Sequence, residues 1–276
     1  MRTKSTMKLL KNRNIRNSNC VILLTATVNP KGTANTSLQN VESRLCQYSN
    51  ALTFYLQHTT LKIVLCENSG YNWNKQIVPL IYKPRVEFLS FNVNDYDKSK
   101  GKSYGEAKII EYAIKNSSFI KSGEYIIKIT GRVIISNINE IILKYKRKNK
   151  SSNTVFIEFW GRNYAQSVCF ICSKHWILNL VTLNREKLDD LKFSIHNLLF
   201  EGVVSEKKLQ IKSIYPFING ISGKTGTFYK NDLIIQRRID NYIGLQTIYK
   251  IRKNFPHFLL TFVILQFARF VRKFYW

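Results

Sequence analysis

The residues in this chain best suited to chemistry are cations and polar groups placed where apolar runs stop. In "EYIIKITGRVII", Glu124 to Ile135, a strand-like run ends at Thr130, Gly131 and Arg132. A guanidinium stays charged and forks onto phosphate or carboxylate oxygens, so Arg132 at a strand end suits an anion. In "GKSYGEAKII", Gly101 and Gly105 fall where a helix should begin, with Lys102, Tyr104 and Glu106 beside them. Free amides at a helix N-terminus attract anions, and Lys102 adds charge. The same residues also read as an ordinary cap, with Ser103 capping and Glu106 completing a capping box. "LDDLKFSIHN" supplies Asp189 and Asp190, an acid pair that could accept a proton or simply face solvent.

Weaker signals come from three other places. In "GISGKTGT", Gly223, Lys224 and Thr225 copy the end of a phosphate loop, but Ile218 stands where its first glycine belongs. That excludes a nucleoside triphosphatase loop and leaves Ser222, Gly223 and Lys224, with bare backbone amides, as a candidate phosphate or acceptor loop. "DYD" offers Asp95 and Asp97 as metal carboxylates, in a loop after the third strand rather than after the fourth. Cys169 and Cys172 form a CxxC pair inside a strand-like run, where positions i and i+3 face opposite sides and cannot share a metal. The five cysteines suit buried thiols in a reducing cytoplasm.

Apolar strands alternating with helices must position these groups. The run from Cys20 to Thr27 predicts a strand, Gln39 to His58 a helix, and "LKIVLCENSG" and "VEFLSFN" two further strands. A helix at "YGEAKIIEYAIKNSSF", the strand ending at Arg132 and a helix at "NINEIILKYKRKNK" follow. This repetition predicts an α/β fold with a mainly parallel sheet covered on both faces, and a binding crevice at the carboxyl ends of the strands. Thr25, Asn29, Asn68, Ser69, Gly70, Lys102, Tyr104, Gly105, Thr130 and Gly131 gather at that edge. Any one of them could belong to an ordinary surface loop. Beyond Lys150, "TVFIEFWGRN" and "SVCFICS" read as strands, "KHWILNLVTLNREKLDDLKFSIHNLLFEG" as one helical stretch and "YPFINGISGKTGTFYKND" as a loop.

With 43 Lys and Arg against 17 Asp and Glu, the formal charge of +26 predicts a polyanionic partner: nucleic acid, anionic lipid or a phosphorylated substrate. The basic N-terminus lacks an apolar segment of signal-peptide type. "FLLTFVILQFA", Phe258 to Ala268, falls short of the roughly 20 apolar residues of a spanning helix. With its basic flanks and aromatic end, the tail predicts an interfacial element or a helix packed on the core.

Taken together, "ILLTATVNP", "SRLCQYSNALTFYLQHT", "IVLCENSGY", "GKSYGEAKIIEYAI", "IIKITGRVII" and "PFINGISGKTG" resemble a family of bacterial glycosyltransferases encoded with O-antigen and capsule genes, over roughly residues 20 to 230. The resemblance implies a GT-A-like (Rossmann-like) catalytic domain over 1–230, and the charge and apolar pattern of the remainder predicts a basic amphipathic helical tail over 231–276. It implies transfer of a sugar from a nucleotide-sugar donor to a lipid-linked saccharide, in O-antigen, lipopolysaccharide or capsule biosynthesis, at the inner face of the cell membrane. The strand-end residues above then bind the donor. The fork of its guanidinium, rather than the resemblance, assigns Arg132 to the donor phosphate, and Asp190, which matches the family's acidic step, stands first to accept the proton, with Glu106 and Glu67 as further candidates.

The family pattern also implies a glutamate a turn or two beyond the acid pair. This chain has His196 or Asn197 there, which leaves a different base or an impaired activity open. No cofactor is implied beyond the donor as substrate, and a divalent metal is disfavoured because Arg132 stands where carboxylates are expected. The rival classes are a basic nucleic-acid-binding protein, for which no recognised motif is present, and an inactive membrane-associated scaffold.

Overall fold

Continuous apolar runs become central strands because both their faces are covered. The computed structural model describes residues 20–253 except 35, 74–77, 93–95, 149–152, 230 and 232–233. Strands β1 (Cys20–Ala26), β2 (Ile63–Glu67), β3 (Val86–Ser90) and β4 (Tyr125–Thr130) form the parallel half of the sheet. Helix α1 (Val41–His58) crosses from β1 to β2, and α2 (Lys102–Asn116) with the short α3 (Ser118–Ser122) crosses from β3 to β4. Asn40 starts α1 by accepting the Ser43 N–H, and Ser117 starts α3 by accepting the Ile120 N–H.

The second half follows the short strand β5 (Ile134–Ile135) and helix α4 (Ile138–Lys148). It contains β6 (Thr154–Ile157), β7 (Cys169–Ser173), α5 (Lys174–Asn184), α6 (Ile195–Ser205), β8 (Gln210–Ser213), β9 (Ile218–Asn219) and α7 (Ile234–Arg252). The seven-stranded sheet has the order β3-β2-β1-β4-β7-β6-β8, and β5 pairs with β9 apart from it. In the seven-stranded sheet β7 is antiparallel to both β4 and β6 and the remaining pairings are parallel, while β5 and β9 are antiparallel. This is the expected α/β architecture, a mainly parallel sheet flanked by helices.

Alternate residues of each strand feed different cores. Ile22 and Leu24 pack with Tyr48, Leu52 and Ile141 beneath α1 and α4. Val21 and Leu23 pack with Ala107, Ile110 and Leu199 beneath α2 and α6. Cys169 belongs to the first core and Cys172 to the second, so the CxxC pair is split across the sheet as its spacing predicts. Burial pushes the Cys169 thiol up to about 12, which keeps it neutral and inert.

The expected single helix over 174–202 is two helices. Arg185–Lys187 form a 3-10 turn, and Asp189 then closes a tight turn by accepting the Leu191 N–H at 2.9 Å and pairing with Phe193 through backbone bonds of 3.0 and 2.7 Å. An aspartate that satisfies local amides competes with the helix ladder. The reading as one loop of "YPFINGISGKTGTFYKND" also changes, since it contains β9, and β8 precedes it.

The described part of the basic tail is α7, which packs on the sheet's far edge. Arg237 Nε and Nη2 fork onto Glu158 just past β6, each at 2.7 Å. Asn241 accepts the Phe159 N–H at 2.9 Å and donates to Ser213 Oγ at 2.9 Å. Gly244 makes the approach possible, because a Cβ there would lie 2.5 Å from Phe159 Cβ. Phe258–Ala268 and Asp95 lie outside the described residues, and Asp97 caps a 3-10 turn by accepting the Ser99 N–H at 2.9 Å. No described helix is long and apolar enough to cross a membrane.

Candidate functional site

The chain's strand order reverses between β1 and β4, and a crevice opens at the carboxyl ends of strands where this happens. Thr25 and Thr130 are register partners there, and the Gly131 N–H donates to Thr25 O at 2.9 Å. A Cβ on Gly131 would stand 2.9 Å from that oxygen and 3.2 Å from the Tyr48 ring. Glycine therefore lets the turn press onto β1 and bring Arg132 to the cleft.

Arg132 is 8% exposed. Its Nη1 donates to Ile221 O at 3.1 Å and Gln47 Oε1 at 3.3 Å, while Nε and Nη2 make no hydrogen bond with described residues. Gly223 sits against it, where a Cβ would meet Nη2 at 2.5 Å. The 220–229 loop is fastened to the segment before α1 by the Ser37 N–H, which donates to Gly223 O at 2.9 Å. Ser222 Oγ accepts the Lys224 and Thr225 amides at 3.3 and 3.4 Å. The bare amides expected of this loop are thus turned inward, and its contribution to the cleft is Gly223, Tyr229 and charge from Lys224.

Lys102, the first residue of α2, lines the same cleft, and its ammonium has no hydrogen-bond partner among the described residues. Burial holds its ammonium below the usual lysine value, opposed by Asp190 and Glu106 and reinforced by Lys224 and Arg132. Arg44, also in the wall, is satisfied instead: it donates to Thr27 O at 2.7 Å, Leu38 O at 3.0 Å and Tyr48 Oη at 3.1 Å.

The carboxylates around this cleft are already engaged. Glu106 takes an ion pair from Lys128, a fully buried lysine on β4 whose Nζ also donates to Ser167 O at 2.7 Å and Thr130 Oγ1 at 3.3 Å. Thr25 Oγ1 donates to Glu106 Oε1 at 3.5 Å. Asp190 accepts the Lys102 N–H at 2.9 Å and the Ser103 N–H at 3.2 Å, so it caps α2 from a distance. Gly101, at φ +78°, has no room for a Cβ against that carboxylate. Ser103 is therefore not the cap, and the helix amides expected to meet an anion are occupied.

Glu67 is fully buried and accepts Val28, Ser69 and Tyr71 amides at 3.0, 2.7 and 2.9 Å, together with the Ser69 hydroxyl. It organises the strand-end loops and has no capacity left as a base.

No family model and no curated protein matches the chain. Solved structures do. One is described as a glucose-1-phosphate thymidylyltransferase from Bacillus anthracis in complex with sucrose: 11% identity, 86% of this chain, 96% of that chain, TM-score 0.46. Another is described as a nucleotide-diphospho-sugar transferase from Desulfovibrio desulfuricans G20: 9% identity, 71% of this chain, 80% of that chain, TM-score 0.42.

Of the residues singled out from sequence, Thr25, Lys102, Glu106, Thr130, Arg132 and Gly223 share this cleft. Asn29, Asn68, Ser69 and Gly70 form a scaffold beside it: Thr27 Oγ1 donates to Asn68 Oδ1 at 2.7 Å and the Asn29 N–H donates to Ser69 Oγ at 3.0 Å. Gly105 permits close contact, since a Cβ there would stand 2.9 Å from Tyr96 Oη and 3.2 Å from Asn68 Nδ2. Tyr104 turns away and donates to Glu186 Oε1 at 3.1 Å.

Sequence reasoning missed Lys128, Ser167 and Tyr229, although a lysine inside "YIIKIT" was a visible signal. His196 reaches the cleft, whereas Asn197 closes a capping box with Ser194. A divalent cation asks for several oxygen ligands. With Arg132 at the end of β4, Glu106 paired to Lys128 and Asp190 on the α2 amides, the donor set that the described residues bring to this cleft does not fit one.

Proposed function

We propose that the chain transfers a sugar from a nucleotide-sugar donor to a lipid-linked saccharide, as in the assembly of O-antigen, lipopolysaccharide or capsule, at the inner face of the cell membrane. The observation that carries this reading is the pairing of two incompletely used cations, the Lys102 ammonium and the free edge of Arg132, in a switch-point cleft whose described carboxylates each already hold a partner. When the anomeric carbon parts from the donor, negative charge grows on the departing nucleotide phosphate. Cations fixed beforehand stabilise that charge without reorganising.

The membrane side of the reading draws support from α7, where Tyr242, Tyr249 and Ile251 are exposed near Lys250 and Lys253. Aromatic residues favour the lipid interface, and each basic residue near anionic headgroups contributes roughly 1 kcal/mol.

A thermal-shift panel of UDP-, GDP- and CMP-sugars tests the donor. A matching donor at a hundred times its Kd should stabilise the fold by about 2.7 kcal/mol, and Arg132→Ala should remove most of that shift. A wild-type protein stabilised by none of the panel would overturn the reading. So would an activity that survives Arg132→Ala but is abolished by a chelator. Salt-sensitive pelleting with phosphatidylglycerol vesicles tests the membrane partner.

A further inference from the structure

We propose that His196 is the general base of the transfer, its Nε2 taking the proton from the acceptor hydroxyl; this inference rests on the transferase reading above. The ring lies at the start of α6 and lines the cleft together with Lys102, Glu106 and Arg132. Its Nδ1 is 3.0 Å from Ala165 O, a group that can only accept, so Nδ1 carries the proton and donates. The Ser167 N–H, at a longer 3.3 Å from the same nitrogen, is the weaker neighbour. That tautomer leaves Nε2 with its lone pair, 3.5 Å from Ser167 Oγ.

The other proton acceptors already hold partners, Glu106 through one of its two oxygens. Glu67 is saturated by strand-end amides, Asp190 caps α2 and Glu106 holds Lys128. Burial, first among the influences, holds His196 below the ordinary histidine value and so keeps the ring neutral. The charges facing it are Glu106 and Lys102 from α2 and Lys128 from β4. The carboxylate favours the protonated ring and the two ammonium groups oppose it.

Trp160 and Tyr164 lie nearly parallel to the ring at 6.3 and 5.7 Å and are 38% and 37% exposed. They give the base an apolar, half-open flank on which the face of a saccharide ring can rest.

The step balances without a further reactant. The acceptor O–H bond breaks and its proton passes to His196 Nε2. The freed oxygen pair forms the bond to the donor's anomeric carbon. The bond from that carbon to the phosphate oxygen breaks, and its electrons leave with the nucleotide, whose charge Lys102 and Arg132 meet. A single displacement of this kind inverts the anomeric configuration.

The test uses the whole chain, the panel of nucleotide sugars and a saccharide on a short synthetic polyprenyl diphosphate. His196→Gln and His196→Ala should lose about 10²–10⁴-fold in kcat, while the thermal shift given by the nucleotide sugar persists. Added imidazole should restore part of the rate to His196→Ala. Wild-type kcat should hold level as pH falls through 6.5, the ordinary histidine value, and decline only below it. The product should show inverted configuration by NMR.

A wild-type enzyme that transfers, with both variants within tenfold of it or with retained configuration, overturns the base while leaving the transferase reading intact. A wild-type protein that binds no nucleotide sugar overturns both. If the variants bind no donor because they have unfolded, the wild-type pH profile and product configuration decide.

Discussion

Glu158 is a buried carboxylate and Glu106 a half-buried one; each is paired with a cation, yet they are finished to different degrees. Glu158 is fully enclosed, with both oxygens taken by Arg237 at 2.7 Å, and Arg237 also reaches Pro216 O at 2.8 Å. The side chain of Glu106 is 17% exposed, one oxygen serves Lys128 and Thr25, and the other accepts nothing among the described residues. The neighbouring Lys102 and Arg132 keep donors free. Where the protein satisfies its own charges it is building a joint. Where it leaves charges partly unsatisfied in a cleft, a ligand can complete them, and the two places should respond oppositely to substitution.

The largest expected effect lies at the joint. Arg237→Ala strands Glu158 without a partner and should cost about 3–5 kcal/mol, read from urea unfolding, with turnover per folded molecule within a few-fold of wild type. An unchanged unfolding midpoint would erase the distinction. Next, Arg132→Ala in the cleft should lower kcat by about 10²–10³-fold while moving the unfolding midpoint little; a large stability loss there would make Arg132 a second joint.

Asn241→Ala should cost about 1–3 kcal/mol by leaving the buried Phe159 N–H unmatched, again without touching donor affinity. Differential scanning calorimetry with and without the donor separates the two effects.

The smallest effect is a pH response. Because the folded value of Lys102 is lowered from 10.5, the cleft sheds this ammonium before an ordinary lysine would. Donor KM should rise a few-fold as pH climbs toward that value, and Lys102→Met should flatten the rise. The unfolded chain holds the same proton longer, so this group alone makes the fold more stable as pH rises. Binding lost in step with stability would contradict that sign.

Much of the sheet was legible because β1, β2 and β4 are covered on both faces and read as unbroken apolar runs. Arg132 and Lys102 were legible as strand-end and helix-start cations. Lys128 was not, since its partner Glu106 lies on another element, although a lysine enclosed by Ile127 and Ile129 has to find a counter-charge. Asp190 was read as a base because an acid pair shows no sign of the distant helix it caps. The break at Asp189 was masked by apolar spacing that continues through Leu188 and Leu191, and β5 and β9 are too short to carry any period. His196 stood out by position alone, and its tautomer depends on Ala165, which belongs to the other side of β7 in sequence.

The cleft also has a direction in time. Thr25 and Arg132 belong to the half of the sheet synthesised first, whereas Ser167, His196 and Gly223 arrive later. The chain is made from its N-terminus, and contacts between residues far apart in sequence form slowly. A nascent chain ending near residue 215 would carry the Arg132 guanidinium without its bond to Ile221 O and before Gly223 comes to rest against it. The surroundings of this strand-end cation are therefore complete only when a loop 89 residues further along the chain has folded down over it.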